Sequence, residues 1–593
     1  MNGPLASIAT LLRLAWRIDR PRLLKALGLL LAGGLATPLI ALGLKEFTEA
    51  ALDGRVGHAV VTALVLSVLL VFELTLGHFA HLSYFELGEQ QEMALHRELL
   101  DLSNGTHGIA HFDRPEYAST VTLVREELHL IRGWTEASLQ LTVLVAQLAF
   151  SASLLAWVNP WLVLLPAAAV PPVVLGGRAQ RLAEAAKERV AAQTQLSRHL
   201  VELSTTSASV KELRLFHAED LILERQRDAW DTVTRTQGAA QLRAAGLRAA
   251  GHGLFALAHT AALLLVVRQA AAGSAGVGDV VLVVALAVNV SAQVATGLGL
   301  LTTLQKGART LDRIDSLREW SVRSVPDGTG PVPVRLEHGL RLENVGFTYP
   351  GTGREVLRGV SVDIPAGRTV AVVGENGAGK STLVKLLCGL YEPTDGRILV
   401  DGADLGSLSA DAWRERTAAL FQDFARMELL LRENVGVGST AELHSDEAVT
   451  AALRASRAEA LVAKVPGGLD GLLGRAYGDG AELSGGQWQS LGLARTLMRT
   501  DPLLVVLDEP ASALDAAAEH ALFERYTATA SAAARANGAI TLFVSHRFAT
   551  VRTADLIIVL DGGVVAETGS HDQLMAGGGL YAELFALQAR TYR

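Results

Sequence analysis

Cysteine, aromatic side chains and charge are all scarce in this chain of 593 residues. The single cysteine, Cys388, excludes a disulfide scaffold. Aromatic residues make up 5%, and few line the long apolar runs, which disfavours a pocket there built by stacking on flat drugs. Charged residues make up 19%, against about 25% in an ordinary soluble domain. The net charge of −8 gives no basic surface for a nucleic acid. Lysine is rare, 8 residues against 45 arginines, a bias that fits a GC-rich genome and carries no mechanism. What is abundant is apolar: half the residues are hydrophobic, which excludes a disordered chain. The length allows roughly four folding units, or fewer large ones.

The hydrophobic excess lies in residues 1–305, whereas residues 335–593 read as a soluble α/β domain. A bilayer core of about 30 Å needs roughly 20 apolar residues per helix. Six segments qualify: Leu23–Leu44, Ala59–Leu82, Leu139–Val158, Trp161–Gly177, Ala249–Val267 and Val280–Leu304. The fourth is short and carries Pro166, Pro171 and Pro172. Lipid offers the backbone no hydrogen-bond partner, so such segments must be helical. Arg13, Arg17, Arg20, Arg22 and Lys25 flank the first span, and twelve Lys or Arg lie between Arg178 and Arg248. By the positive-inside rule both termini and the two long loops face the cytoplasm. Residues 1–22 lack the pattern of a secretory signal and read as an interfacial amphipathic helix.

The two long loops, Glu86–Glu136 and Arg178–Arg248, are polar with few breakers and read as helices extending the spans. Each holds one interruption: His111-Phe112-Asp113-Arg114-Pro115-Glu116-Tyr117 in the first, and the stretch around Lys211-Glu212-Leu213-Arg214-Leu215-Phe216 in the second. Each is either an ordinary turn or a short helix presented to a partner domain. Polar residues fall within or near the spans: Glu73, His78 and His81 in the second, His252 and His259 in the fifth, Asn289 and Gln293 in the sixth. They line a substrate path or bond helix to helix.

A stretch rich in proline and glycine, 320–335, reads as a linker between a membrane domain, 1–319, and a soluble domain, 336–593. After the strand-like Leu340–Tyr349, a β-branched run Val370–Val373 ends in Gly374-Glu375-Asn376-Gly377-Ala378-Gly379-Lys380-Ser381-Thr382, followed by a helical stretch. This is G-x-x-x-x-G-K-[ST] in strand–loop–helix context. Its glycines let backbone amides close on phosphate oxygens, and the helix N-terminus adds positive potential. Lys380 reaches the β- and γ-phosphates and Ser381 ligates Mg²⁺. A second apolar strand, Leu503–Leu507, delivers Asp508 to the Mg²⁺ shell and Glu509 to the attacking water. Leu483-Ser484-Gly485-Gly486-Gln487 opens another helix, a second phosphate-facing N-terminus about a hundred residues from the first. Two such sites do not easily serve one nucleotide in one chain, which hints at an arrangement between two chains.

At these residues the chain resembles an ABC transporter of the exporter type: a six-span α-helical transmembrane domain fused ahead of an α/β P-loop ATPase domain. Gly374–Thr382 matches the Walker A loop, with Gly374, Asn376, Gly377, Gly379, Lys380, Ser381 and Thr382 on ATP. Leu503–Asp508 matches Walker B. Ser484, Gly485, Gly486 and Gln487 match the ABC signature, Gln422 the Q-loop, Ser512-Ala513-Leu514-Asp515 the D-loop, His546 the switch histidine and Tyr349 the adenine-stacking aromatic. The resemblance implies ATP and Mg²⁺ as cofactors. Ser381, Gln422 and Asp508 would attend the metal, Glu509, His546 and Gln422 the chemistry. It also implies ATP sandwiched between two copies, a homodimer with a heterodimer as the alternative, and coupling helices at the two loop interruptions. The setting is the plasma membrane and its lipid.

Many exporters carry a basic residue directly after the signature, where this chain has Trp488; the stretch Phe421-Gln422-Asp423-Phe424-Ala425-Arg426, together with Leu483-Ser484-Gly485-Gly486-Gln487-Trp488-Gln489, is similar to bacterial exporters of lantibiotics and other ribosomal peptides. The resemblance therefore points to ATP-driven export of a modified peptide or natural product. Multidrug export and lipid flipping are the alternatives, with an ATP-gated regulator as a different class. Import is disfavoured because importers of the family usually keep the two parts on separate chains. A papain-like leader protease domain is excluded by the lone Cys388, which reads as a small core residue.

Overall fold

The structure, a computed structural model, describes residues 4–168, 170–322, 328–474, 478–509, 535–545 and 548–591. Packing divides the chain into two units. The first comprises Met1–Leu99 and Thr122–Ser316; the second comprises Leu100–Val121 and Leu317–Arg593. The interruption in the first long loop therefore packs with the soluble unit, although it lies inside the membrane half of the sequence.

The first unit is helical. α1 (Pro4–Ile18) is amphipathic, burying Leu11 and Ala15 while Arg13 and Trp16 stay exposed. Asp19 then caps α2 (Arg20–Leu52), its carboxylate accepting the Arg22 amide at 2.9 Å. α3 (Val56–Asn104) is followed by α4 (Pro115–Glu127), which leads through a short turn into α5 (Ile131–Val158). Two further long helices span Glu219–Ala271 and Val277–Val322. Among the described residues, five helices are long and apolar enough to cross a membrane. The fourth expected span is interrupted instead, as Pro160–Val163, Leu164–Ala167 and then Val170–Arg189. Pro171 and Pro172 lack amide donors and are tolerated in a first turn, so the helix starts afresh at Val170. Polar side chains join the helices: the Thr135 hydroxyl donates to Gln91 at 2.5 Å, and the Gln91 amide donates to the Leu11 carbonyl at 3.1 Å.

The second unit is built on two sheets. β1 (Gly339–Thr348), β2 (Glu355–Pro365), β4 (Asp395–Val400) and β5 (Ala403–Asp404) form an antiparallel sheet in the order β2-β1-β4-β5. The other sheet runs β10-β9-β3-β8-β7-β6, with β3 (Thr369–Val373), β6 (Thr417–Leu420), β7 (Leu504–Asp508), β8 (Ile540–Val544), β9 (Leu556–Asp561) and β10 (Val564–Gly569). β9, β3, β8, β7 and β6 are mutually parallel. Their continuous apolar runs, such as Ile540–Val544, suit a sheet buried on both faces. A separate helical cluster packs Leu431, Val435, Val449, Leu453, Trp488 and Leu491.

Candidate active site

Strand register brings four loops to one edge. Val372 pairs with Val544, Val544 with Asp508, and Leu507 with Leu420. The chain therefore leaves β3 into Gly374–Gly379, β7 into Glu509, β8 into Ser545 and β6 towards Gln422 at one level. The carboxyl edge of a parallel sheet is where such folds bind ligands.

The phosphate loop owes its shape to glycine. Gly374 has φ +153°, and a Cβ there would run into the Leu560 carbonyl. Gly379, at φ +99°, is the N-cap of helix Lys380–Leu387. The Lys380 ammonium donates to the carbonyls of Gly374 and Glu375 at 2.9 and 2.8 Å, folding across its own loop. Burial lowers its pKa, while Glu509 and Asp508 act in the opposite sense. The Thr382 side chain is buried, with its hydroxyl 3.0 Å from the Tyr349 hydroxyl.

Asp508 is 3% exposed, and burial pushes its carboxyl above the ordinary range; a hydrogen bond from Ser381 and the charge of Lys380 pull it back. Among the described residues its Oδ1 has no hydrogen-bond partner. A buried, unsatisfied carboxylate oxygen beside a hydroxyl is an oxygen donor set of the kind Mg²⁺ takes, so these residues fit the metal. Glu509 adopts φ +48°, a left-handed conformation uncommon outside glycine. Its amide donates to the Val544 carbonyl at 3.0 Å, and its carboxylate accepts from the Gln422 amide at 3.1 Å. The structure thus brings Gln422, Lys380, Ser381, Asp508 and Glu509 together.

Ser484–Gln487 stands on the helical cluster. Ser484 caps helix Gly485–Leu497 in a reciprocal box: its hydroxyl accepts the Gln487 amide at 3.3 Å, and its own amide donates to Gln487 Oε1 at 2.8 Å. Ser484 and Gly485 are exposed, so this helix start faces outward. Trp488 is buried in the helical cluster and serves packing. Gln489, to which the sequence assigned no role, donates to the Glu509 carbonyl at 3.3 Å and ties the signature helix to Walker B. No local pattern in the sequence announces that contact. Asp515 and His546 lie outside the described residues.

In the membrane unit, Glu73 accepts from the Thr37 hydroxyl at 2.7 Å, a bond between α2 and α3 of the kind that packs helices. Cys388 is buried in the core of the soluble unit.

Comparison with known proteins agrees with this geometry. Residues 357–512 match the ABC transporter family and residues 23–294 the ABC transporter transmembrane region. The subtilin transport ATP-binding protein SpaT of Bacillus subtilis is 38% identical over 42% of this chain and 39% of its own length. An ATP-dependent lipid A-core flippase of Cupriavidus pinatubonensis is 40% identical over 44% of this chain and 43% of its own. Both matches span less than half of either protein. The mycobactin import ATP-binding/permease protein IrtB of Mycobacterium tuberculosis is 31% identical over 72% of each chain. A relative named for import thus aligns across both parts of this chain, so their fusion does not count against import. The solved structure of a bacterial Atm1-family ABC exporter with ATP bound superposes with a TM-score of 0.77, covering 96% of this chain and 99% of that one at 23% identity. The chain belongs to the ABC transporter family, a multi-pass membrane protein with its ATPase domain fused behind the transmembrane domain in the exporter fold.

Proposed function

We propose that two copies of this chain form an ATP-driven exporter of the plasma membrane, with both termini in the cytoplasm and ATP bound between the phosphate loop of one copy and Ser484–Gln487 of the other. The observation that supports this reading is the exposed start of the signature helix: Lys380, Asp508 and Glu509 converge at the sheet edge, while Ser484 and Gly485 stand open at a capped helix N-terminus. In this reading that N-terminus serves the phosphates bound by a second copy. Tyr349 stacks on adenine, and Gly374, Asn376, Gly377, Gly379 and Thr382 shape the cradle. Ser381, Asp508 and Gln422 would hold Mg²⁺, which would neutralise charge on the phosphates. Glu509, oriented by Gln422, takes the proton of the attacking water. Asp515 and His546 complete the site by motif.

The transported molecule in this reading is a modified peptide or related natural product. It rests on the signature-flanking residues and on the likeness to SpaT, named for subtilin transport. Lipid flipping is the second reading, favoured by the likeness to the lipid A-core flippases.

Co-expression tests the shared site. Lys380→Ala and Ser484→Arg chains are each inactive alone. In a mixed dimer one site keeps both an intact loop and an intact signature, so turnover returns. If the mixture stays inactive while each variant still dimerises, the two-chain site is wrong. Glu509→Gln keeps ATP binding and loses turnover; unimpaired hydrolysis would remove Glu509 from its role. Stimulation of ATPase in vesicles by peptide, but not by lipid A or mycobactin, decides the substrate class.

A further inference from the structure

The apolar segments of the membrane unit are almost free of charge. Their charged residues are Lys25, near the start of the first, and Glu73, well inside the second. A carboxylate at such a depth is costly, so it is kept where it meets water, a cation or hydrogen-bond donors. The Thr37 hydroxyl donates to Glu73 Oε1 at 2.7 Å and joins α2 to α3. That bond fills one of about four acceptor positions on the carboxylate and brings no positive charge. Among the described residues no Lys or Arg pairs with Glu73: α2 has none between Lys25 and Lys45, and α3 has none before Arg97. Lys45 lies past Thr37 by roughly 12 Å along the helix axis, and it pairs with Asp279 at 2.7 Å.

Packing sets the level of this carboxylate in the bundle. Leu154 and Leu155 of α5 cluster with Leu282 and Leu286 of the helix Val277–Val322, and Ala41 of α2 joins them. At the other end of the contact, a Cβ on Gly297 would stand 2.9 Å from Leu144, and a Cβ on Gly34 would stand 2.7 Å from Val143. So α2 runs with α5, the helix Val277–Val322 runs against both, and Gly34, Val143 and Gly297 share one level. One turn on, forward from Gly34 and backward from Gly297, come Thr37 with its Glu73 bond and Gln293. Gln293 is 6% exposed, and among the described residues neither polar atom of its side chain has a hydrogen-bond partner. Ser151 of α5 is buried with its hydroxyl likewise unpartnered, whereas Ser138 of the same helix bonds back to the Trp134 carbonyl at 2.8 Å. A buried amide without a partner is costly. This layer therefore holds a carboxylate without a counter-charge and an amide without a partner.

We propose that Glu73 and Gln293 form a substrate subsite in the membrane unit: Glu73 takes an ammonium or guanidinium group of the transported molecule, and Gln293 takes one of its amides. The subsite gives the exported molecule of the reading above a positive charge, and as a substrate site it rests on that reading. A charged donor on a carboxylate away from bulk water makes one of the stronger hydrogen bonds. The Gln293 side chain offers both a donor and an acceptor, which matches the two polar atoms of a peptide group. A phosphate at this level would meet like charge, so the subsite favours a cationic peptide over an anionic lipid.

The test uses the full-length protein in a nonionic detergent, without nucleotide, and two probes that differ in one charge: Nα-acetyl-lysine octylamide and its Nε-acetyl derivative. Binding is read as the rise in apparent melting temperature with probe concentration. The cationic probe stabilises the protein and the acetylated one does not. Glu73→Gln keeps an acceptor for Thr37 and removes the charge, and it weakens the cationic probe on the order of tenfold or more. Glu73→Asp keeps the charge and retains the stabilisation, which separates charge from fold. Gln293→Leu weakens the cationic probe several-fold; unchanged affinity there would remove the amide half of the subsite. Stabilisation that survives Glu73→Gln, or parent protein that responds alike to both probes or to neither, would overturn the subsite and leave the ATP site standing. Failure of the parent to bind ATP would instead sink the exporter reading, with the cation response still measurable by itself.

Discussion

Two interruptions that read alike in the sequence end in opposite states. The first is a knot of rings: His111 lies 4.3 Å from Phe112 and 4.7 Å from Tyr117, and Tyr117 lies 5.8 Å from Trp320. Tyr117 is 2% exposed, and burial lowers the His111 pKa, favouring the neutral ring. The second is a short helix, Ser207–Leu215, ended by a sharp turn at His217 with φ +51°. Leu215 and Phe216 at its tip are 72% and 71% exposed. The first interruption buries Tyr117 although its Phe112 stays 49% exposed, and the second exposes both residues of its apolar tip. On the dimer proposed above, the second copy would receive that tip.

The largest effect expected from this contrast comes from Leu215→Asp combined with Phe216→Asp. Each side chain, if buried on a partner, contributes about 2 kcal/mol, and about 1.4 kcal/mol is a factor of ten in an equilibrium. Turnover of the purified protein at fixed concentration falls by roughly tenfold or more. Unchanged turnover would show that the tip works without a partner surface and would end the contrast.

A smaller effect sharpens it by stability. Tyr117→Ala empties a buried site and costs about 3 kcal/mol. Leu215→Ala removes a side chain exposed within its own chain, so in dilute protein, where the partner contact is released, it stays within about 0.5 kcal/mol. Measured as apparent melting temperatures at low protein concentration, the first drops clearly and the second does not. Equal shifts would mean that both interruptions are equally buried in the protein as purified.

The sequence carries the ATP site well, because phosphate chemistry demands residue types at fixed spacing. Gly374, Lys380, Asp508 and Glu509 are recognisable one by one, and register then places them on one edge. The membrane unit is legible in its apolar runs but less so in its breaks. The prolines of the fourth segment are plain, whereas a helix that restarts at Val170 depends on how its neighbours pack. Burial of the two loop interruptions could not be read at all. Both are short polar breaks flanked by aromatic or aliphatic residues, and only tertiary packing distinguishes Tyr117 from Phe216. The Tyr391–Asp113 bond joins residues 278 positions apart, and no local pattern encodes it.

The smallest effect uses the lone thiol as a reporter of the first interruption. Cys388 lies at the end of the phosphate-loop helix, in the core against which Ile109 and Ala110 pack. Burial pushes its pKa up to about 12, and the thiolate is the reactive form. At neutral pH the native protein therefore resists maleimide labelling, and the rate climbs only as pH rises towards that value. Ile109→Pro removes the amide that donates to Leu390, so it unseats the segment and exposes one wall of the thiol's surroundings. Labelling then accelerates several-fold at unchanged pH. A matched Val210→Pro in the second interruption leaves the rate where it was, because the helix Ser207–Leu215 packs in the other unit. Acceleration by both substitutions would mean that proline loosens the whole protein; acceleration by the first alone separates the two segments through a single sulfur atom.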